Sequence, residues 1–122
     1  MMGRESISTN VKRLLWSECA GYCQNPSCNK YLFANIQDDL VSLADVAHII
    51  GVGKAGPRSE HELAKMIEKD GLSNLIMLCL DCHKIVDELE ARFSVAEMRI
   101  WKTRHSQKVQ SLFSVPTFTD ER

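Results

Sequence analysis

Asn74-Leu75-Ile76-Met77-Leu78-Cys79-Leu80-Asp81-Cys82-His83 is the stretch on which the fold turns. Leu75 to Leu78 is too short and too uniformly apolar for an amphipathic helix, and it reads as a short buried strand. The strand runs straight into a C-x2-C turn. A helix from about Cys82 to Leu89 follows, with Asp87 four residues beyond His83 and therefore on the same helical face. A second cysteine pair, Cys23 and Cys28 with four residues between them, lies upstream on a turn built from Gln24-Asn25-Pro26-Ser27. Two pairs on turns, brought together from distant parts of the chain, provide the four soft ligands of a tetrahedral structural zinc site. The interval from Cys28 to Cys79 is longer than that of a simple zinc ribbon, so a substantial segment is inserted between the knuckles. Cys19 falls on the apolar face of the first helix and is expected to be a core thiol.

The inserted segment contains Ala47-His48-Ile49-Ile50 at the end of an apolar run beginning near Leu40, whose second half reads as a strand. Gly51, Gly53, Gly56 and Pro57 then make an open loop that carries Lys54 and Arg58. Ser59 and Glu62 have capping-box spacing, and Leu63, Met66 and Ile67 predict a helix stopped by Asp70-Gly71. Upstream of the first knuckle, Thr9 or Asn10 caps a predicted helix to about Ala20, with Val11, Leu14, Leu15 and Cys19 on one face. Tyr31-Leu32-Phe33 follows the knuckle as a short strand. A final helix opens with a capping box of Ser94 and Glu97 and a staple of Phe93 on Met98. Its stripe continues through Trp101, His105, Val109 and Leu112.

Size and composition bound the function. The 122 residues amount to one domain, with a core small enough for a structural metal to add useful stability. We place that domain at 1–113 and read 114–122 as a polar tail or the start of a linker. No apolar run is long enough to cross a bilayer, and Met1 to Ser6 lack a signal-peptide core, so a cytoplasmic protein with no membrane partner is expected. That setting also argues against a disulfide framework for the five cysteines. The net charge of −1 is low for a nucleic-acid binder. The charge is uneven, however: Arg99, Lys102, Arg104 and Lys108 crowd one segment against the single acid Glu97.

His48, Asn74 and His83, in that order on strand, turn, strand and helix and enclosed by cysteine pairs, resemble the HNH endonuclease family over roughly residues 11–110. The resemblance implies a small α+β fold, a ββα-metal core with flanking helices pinned by a four-cysteine zinc site. It implies hydrolysis of DNA phosphodiester bonds, with His48 as general base, a role suited to a histidine because its pKa lies near neutrality. A catalytic divalent metal, Mg²⁺ or Mn²⁺, would be held near His83 and Asp87 to stabilise the phosphate and the leaving group. Asn74 would brace the motif. Many members carry a metal-binding Asp or His where this chain has Ala47, which leaves His83 and Asp87, with Asp45 as a further candidate ligand.

Arg58 in the loop is a candidate phosphate clamp, since guanidinium binds phosphate oxygens in a bidentate manner. Lys54, Lys102 and Arg104 are further candidate contacts to double-stranded DNA. Arg13-Leu14-Leu15-Trp16, Gly56-Pro57-Arg58, Val86-Asp87 and Trp101-Lys102-Thr103-Arg104-His105 are similar to N-terminal HNH effector modules of bacterial antiphage proteins. That likeness implies a C-terminal nucleotide-sensing domain beyond this chain and cleavage with low sequence specificity. A free-standing phage or restriction-type nuclease is equally compatible with the residues. A homodimer would allow both strands to be cut, because one site cuts one strand at a time. The alternative from another class is a catalytically inactive, zinc-stabilised DNA-binding or interaction module.

Overall fold

The computed structural model describes residues 7–113. The tail expected at 114–122 lies outside the described residues. Within them the chain forms a small α+β fold of three helices and two separate two-stranded antiparallel sheets. None of the helices is long and apolar enough to cross a membrane.

Helix α1 spans Thr9–Cys19 and is capped by Ser8, one residue before the expected position, whose hydroxyl accepts from the Val11 N–H at 3.1 Å. It ends where Ala20 (φ 56°) and Gly21 (φ 85°) turn left-handed in succession. Glycine adopts that conformation freely, whereas for Ala20 it costs about 1–2 kcal/mol. The reversal lets Tyr22 bridge Tyr31 and lets the Cys23 N–H donate to the Lys30 carbonyl, which closes the first knuckle.

Strands β1 (Phe33–Ile36) and β2 (Asp39–Ser42) form a hairpin that the sequence reading did not anticipate beyond Phe33. Its two-residue turn, Gln37-Asp38, has φ of 51° and 76°. These are the signs of a type I′ turn without the glycine that usually announces one. Asn35 Oδ1 compensates by accepting from the Asp38 N–H at 2.9 Å. Phe33 stacks on Trp16 with ring centroids 5.2 Å apart, which anchors the hairpin to α1.

Strands β3 (Ala44–His48) and β4 (Leu75–Cys79) pair antiparallel from Ala44↔Cys79 to His48↔Leu75. Every residue of β4 is buried, as its unbroken apolar run requires. Its second side is covered by the first knuckle: Gln24 N–H donates to the Met77 carbonyl, and Met77 N–H donates to Gln24 Oε1. Helix α2 (Leu80–Glu88) follows β4 without a loop, because Cys79 itself is the N-cap and its Sγ accepts from the Cys82 N–H. Helix α3 (Val95–Phe113) starts as its capping residues predict, with Glu97 N–H donating to Ser94 Oγ at 3.1 Å. Met98, Trp101 and His105 are buried along it, while Leu112 is exposed. Phe93 meets Trp101 edge-on at 5.7 Å.

The helix expected after Ser59 shrinks to a single 3₁₀ turn, Glu62–Lys65, capped by His61 in place of Ser59. Met66 is exposed. Tertiary bonds win over local periodicity here. His48 engages Asp70, and Asn74 Nδ2 donates to the Lys69 carbonyl, which draws residues 69 and 70 out of a helical path. A second 3₁₀ turn, Leu72–Asn74, then delivers Asn74 beneath β3.

Candidate functional site

Cys23, Cys28, Cys79 and Cys82 place their sulfurs within 4.8 Å of one another, and this group could hold a metal ion such as zinc. A tetrahedral ion with Zn–S bonds of about 2.3 Å sets its sulfurs about 3.8 Å apart. Cys28 and Cys79 are already at 3.9 Å. The surroundings are those of a thiolate site. Cys79 N–H donates to Cys23 Sγ at 3.3 Å, Cys82 N–H to Cys79 Sγ at 3.4 Å, and Asn25 Nδ2 to Cys82 Sγ at 3.4 Å. Burial raises the Cys23 thiol to about 11 and raises that of Cys82 as well. At Cys79 burial works in the same direction, yet hydrogen bonds from Cys82, Cys28 and Cys23 outweigh it and bring the thiol below its ordinary value. Buried sulfurs that resist ionisation by themselves require a cation to become thiolates together. Cys19 stands outside the group, fully buried against α3, as expected of a core thiol.

A second cluster occupies the outer face of β3 and α2. His83 lies between two carboxylates, with Nδ1 at 3.0 Å from Asp45 Oδ2 and Nε2 at 3.0 Å from Asp87 Oδ2. The Asp87 hydrogen bond is the main cause that raises the His83 pKa to about 9; burial opposes it and Asp45 adds to it. Burial alone would raise Asp87, but His83 and Arg58 together hold it below the usual carboxylate range. The three side chains rim an open depression of about 300 Å³ that Lys84 and Glu88 also border. Asp45 sits two residues before Ala47 and so shares its strand face.

His48 pairs outside the His83 cluster. At the last residue of β3, its Nε2 meets Asp70 Oδ1 at 2.8 Å. An ionised carboxylate accepts only, so Nε2 is the donor in this pair. Asp70 was missed in the sequence because it lies in a turn 22 residues away. Asn74 behaves as a brace. It is fully buried, accepts from Ile50 N–H at 2.9 Å, and donates to the carbonyls of Ile50 and Lys69 at 3.0 and 2.9 Å.

No family model matches the chain, and no curated protein matches it. Its chemistry must therefore be read from its own side chains.

Arg58 departs most from expectation. It is not a solvated loop cation: its side chain is 5% exposed, and the guanidinium is committed inside the protein. Nε donates to the Ile49 carbonyl at 2.6 Å, one terminal nitrogen to the Val86 carbonyl at 3.0 Å, and the other to Asp87 Oδ1 at 2.9 Å. The glycine loop makes this possible by closing on itself. A Cβ on Gly56 would come within 2.7 Å of the Val52 carbonyl. Arg58 itself sits at φ 58°. Lys102 is likewise buried, in an ion pair with Glu18 that ties α3 to α1. Lys54 and Arg104 remain exposed, as a contact to a polyanion requires.

Proposed function

We propose that this chain is a metal-dependent DNA endonuclease of the HNH kind, built on a zinc-stabilised ββα unit and cutting with low sequence specificity. The observation that carries this reading is Asp45 beside His83, with Asp87 on the other nitrogen of the ring. One imidazole nitrogen and carboxylate oxygens are the donors that a hard divalent cation such as Mg²⁺ or Mn²⁺ accepts. When bound there, such an ion supplies Lewis-acid stabilisation of the phosphate and of the departing 3′ oxygen. His83 must give up its proton to serve as a ligand, and the Arg58 guanidinium stays paired with Asp87 when it does. His48, with its Nε2 proton held on Asp70, offers Nδ1 to take a proton from an attacking water. Asn74 fixes the backbone at Ile50, two residues beyond His48, and so positions that ring.

The likeness of the outer segments to antiphage effector modules supports a role as the cytoplasmic effector half of such a protein. A C-terminal nucleotide-sensing domain and pairing of two copies would complete it. The second reading is a non-catalytic, zinc-stabilised binding module. The burial of Arg58 and Lys102 and the separate pairing of His48 favour it.

Cleavage of supercoiled plasmid separates the two. The zinc-loaded protein, freed of other divalent ions, should nick plasmid only when Mg²⁺ or Mn²⁺ is added. His48→Ala and Asp45→Asn should each abolish the nicking. Retention of duplex DNA without cleavage at any divalent ion concentration would favour the binding module.

A further inference from the structure

Gln24 presents a donor with no partner. Its side chain is fully buried, and Met77 N–H donates to its Oε1 at 2.7 Å. An N–H is accepted only by the amide oxygen, so this bond fixes the orientation and leaves Nε2 with its two hydrogens elsewhere. Among the described residues, Nε2 of Gln24 is the buried side-chain nitrogen or oxygen that lacks a hydrogen-bond partner. Buried donors in folded proteins are nearly always satisfied, so this one calls for a partner such as a water or an ion.

Gln24 walls a pocket of about 70 Å³ between the first knuckle and α3, together with Asn29, Trp101, Arg104, His105 and Lys108. Arg104 is exposed at its rim. Lys108 Nζ donates one hydrogen to Asn29 Oδ1 at 2.7 Å and keeps two more. His105 is held in place by a hydrogen bond from Nε2 to the Cys19 carbonyl at 2.8 Å. No carboxylate lines the pocket among the described residues. Donors and cations without an acid are complementary to an anion. A pocket of this size admits water or one small ion.

We propose that this pocket is an oxyanion site that takes one phosphate group. Gln24 Nε2 is its buried donor, and Arg104 and Lys108 clamp from the rim, the guanidinium being suited to two phosphate oxygens at once. The group can belong to a nucleic-acid backbone or to free phosphate. None of Asp45, His48, His83 or Asp87 takes part, so the site stands or falls apart from the cleavage reading.

The test is a titration of the full, zinc-loaded chain at constant ionic strength, without Mg²⁺ or Mn²⁺, followed by ¹H–¹⁵N spectroscopy. The probes are inorganic phosphate and a short blunt DNA duplex, with chloride as control. The Gln24 side-chain amide and the Trp101 indole should shift saturably. Arg104→Ala and Lys108→Ala should each weaken the binding at least about tenfold, the loss expected for one charge-assisted hydrogen bond. Shifts with the duplex assign the site to nucleic-acid backbone; shifts with phosphate alone assign it to the free ion. No saturable shift with either probe, or shifts undiminished in both variants, would overturn the proposal and leave the pocket to water.

Discussion

Arg58 and Asp87 are joined at 2.9 Å, and the second oxygen of the same carboxylate lies 3.0 Å from His83 Nε2. A buried guanidinium thus anchors an acid that is only 30% exposed, and the acid orients an imidazole at the surface. Because Arg58 also reaches the carbonyls of Ile49 and Val86, it connects the end of β3 to the body of α2. The candidate cluster is consequently held from inside the protein.

Arg58→Met is expected to destabilise the fold by about 3–5 kcal/mol, because it leaves a carboxylate and two carbonyls without their donor. Arg58→Lys should recover little, since one ammonium cannot reproduce the planar fork that spans three acceptors. Urea unfolding followed by circular dichroism measures both. Near-native stability in Arg58→Met combined with weakened DNA binding would instead return Arg58 to the role of phosphate contact.

Removal of the metal is expected to unfold the chain. Zinc binding to four cysteines is worth on the order of 10 kcal/mol, which rivals the whole stability of a small domain. Elemental analysis should find one zinc per chain. A strong chelator should abolish the cooperative thermal transition, and Cys23→Ser should do the same without chelator. An unchanged transition after complete metal removal would show that the four thiols pack adequately as an ordinary core.

Asn74→Ala is expected to cost roughly 3 kcal/mol, since it strands the N–H of Ile50 and the carbonyls of Ile50 and Lys69 in a buried place. Asn74→Asp should be no better, because a carboxylate accepts from Ile50 but donates to neither carbonyl. Both are read by thermal unfolding of the zinc-loaded protein. If either variant matches the wild type, Asn74 is not the brace described above.

Cys19 should be inert toward alkylating reagents at neutral pH. Burial raises its pKa above the ordinary thiol value of 9.0, despite hydrogen bonds from the Gly21 and Tyr22 backbone that act the other way. The thiolate is the nucleophile, so a raised pKa lowers the reactive fraction at any pH below it, and reactivity grows only as the pH climbs. Mass spectrometry after iodoacetamide treatment should find Cys19 unmodified in the native protein near neutral pH and modified once urea unfolds it. Rapid native-state labelling would contradict its packing against α3.

Features encoded by neighbours along the chain were legible in the sequence. The cysteine pairs sit on turns whose Asn and Pro define them locally. β4 is an unbroken apolar run, and Ser94 with Glu97 announces α3 within one helical turn. Ser8 lay one residue from the expected cap. The β1–β2 hairpin escaped notice because Gln37-Asp38 adopts a positive-φ turn that residue types do not advertise. The stripe of Leu63, Met66 and Ile67 suggested a full helix, and bonds from His48 and Asn74 to Asp70 and Lys69 overruled it.

The candidate site divides along the same line. The sequence by itself determined which groups are present: four thiols at ligand spacing, His83 with Asp87 one helical turn away, His48 on a strand, and Asn74 at the start of another. Only the tertiary structure decided what those groups face. It turned His48 toward Asp70, brought Asp45 to His83, and took Arg58 and Lys102 from the surface into internal ion pairs, the latter with Glu18 at a separation of 84 residues. Backbone periodicity and capping act over three or four positions and so can be read locally. The partner of a buried charge is set by which distant segments pack together, and by the large cost of leaving that charge unpaired once they do.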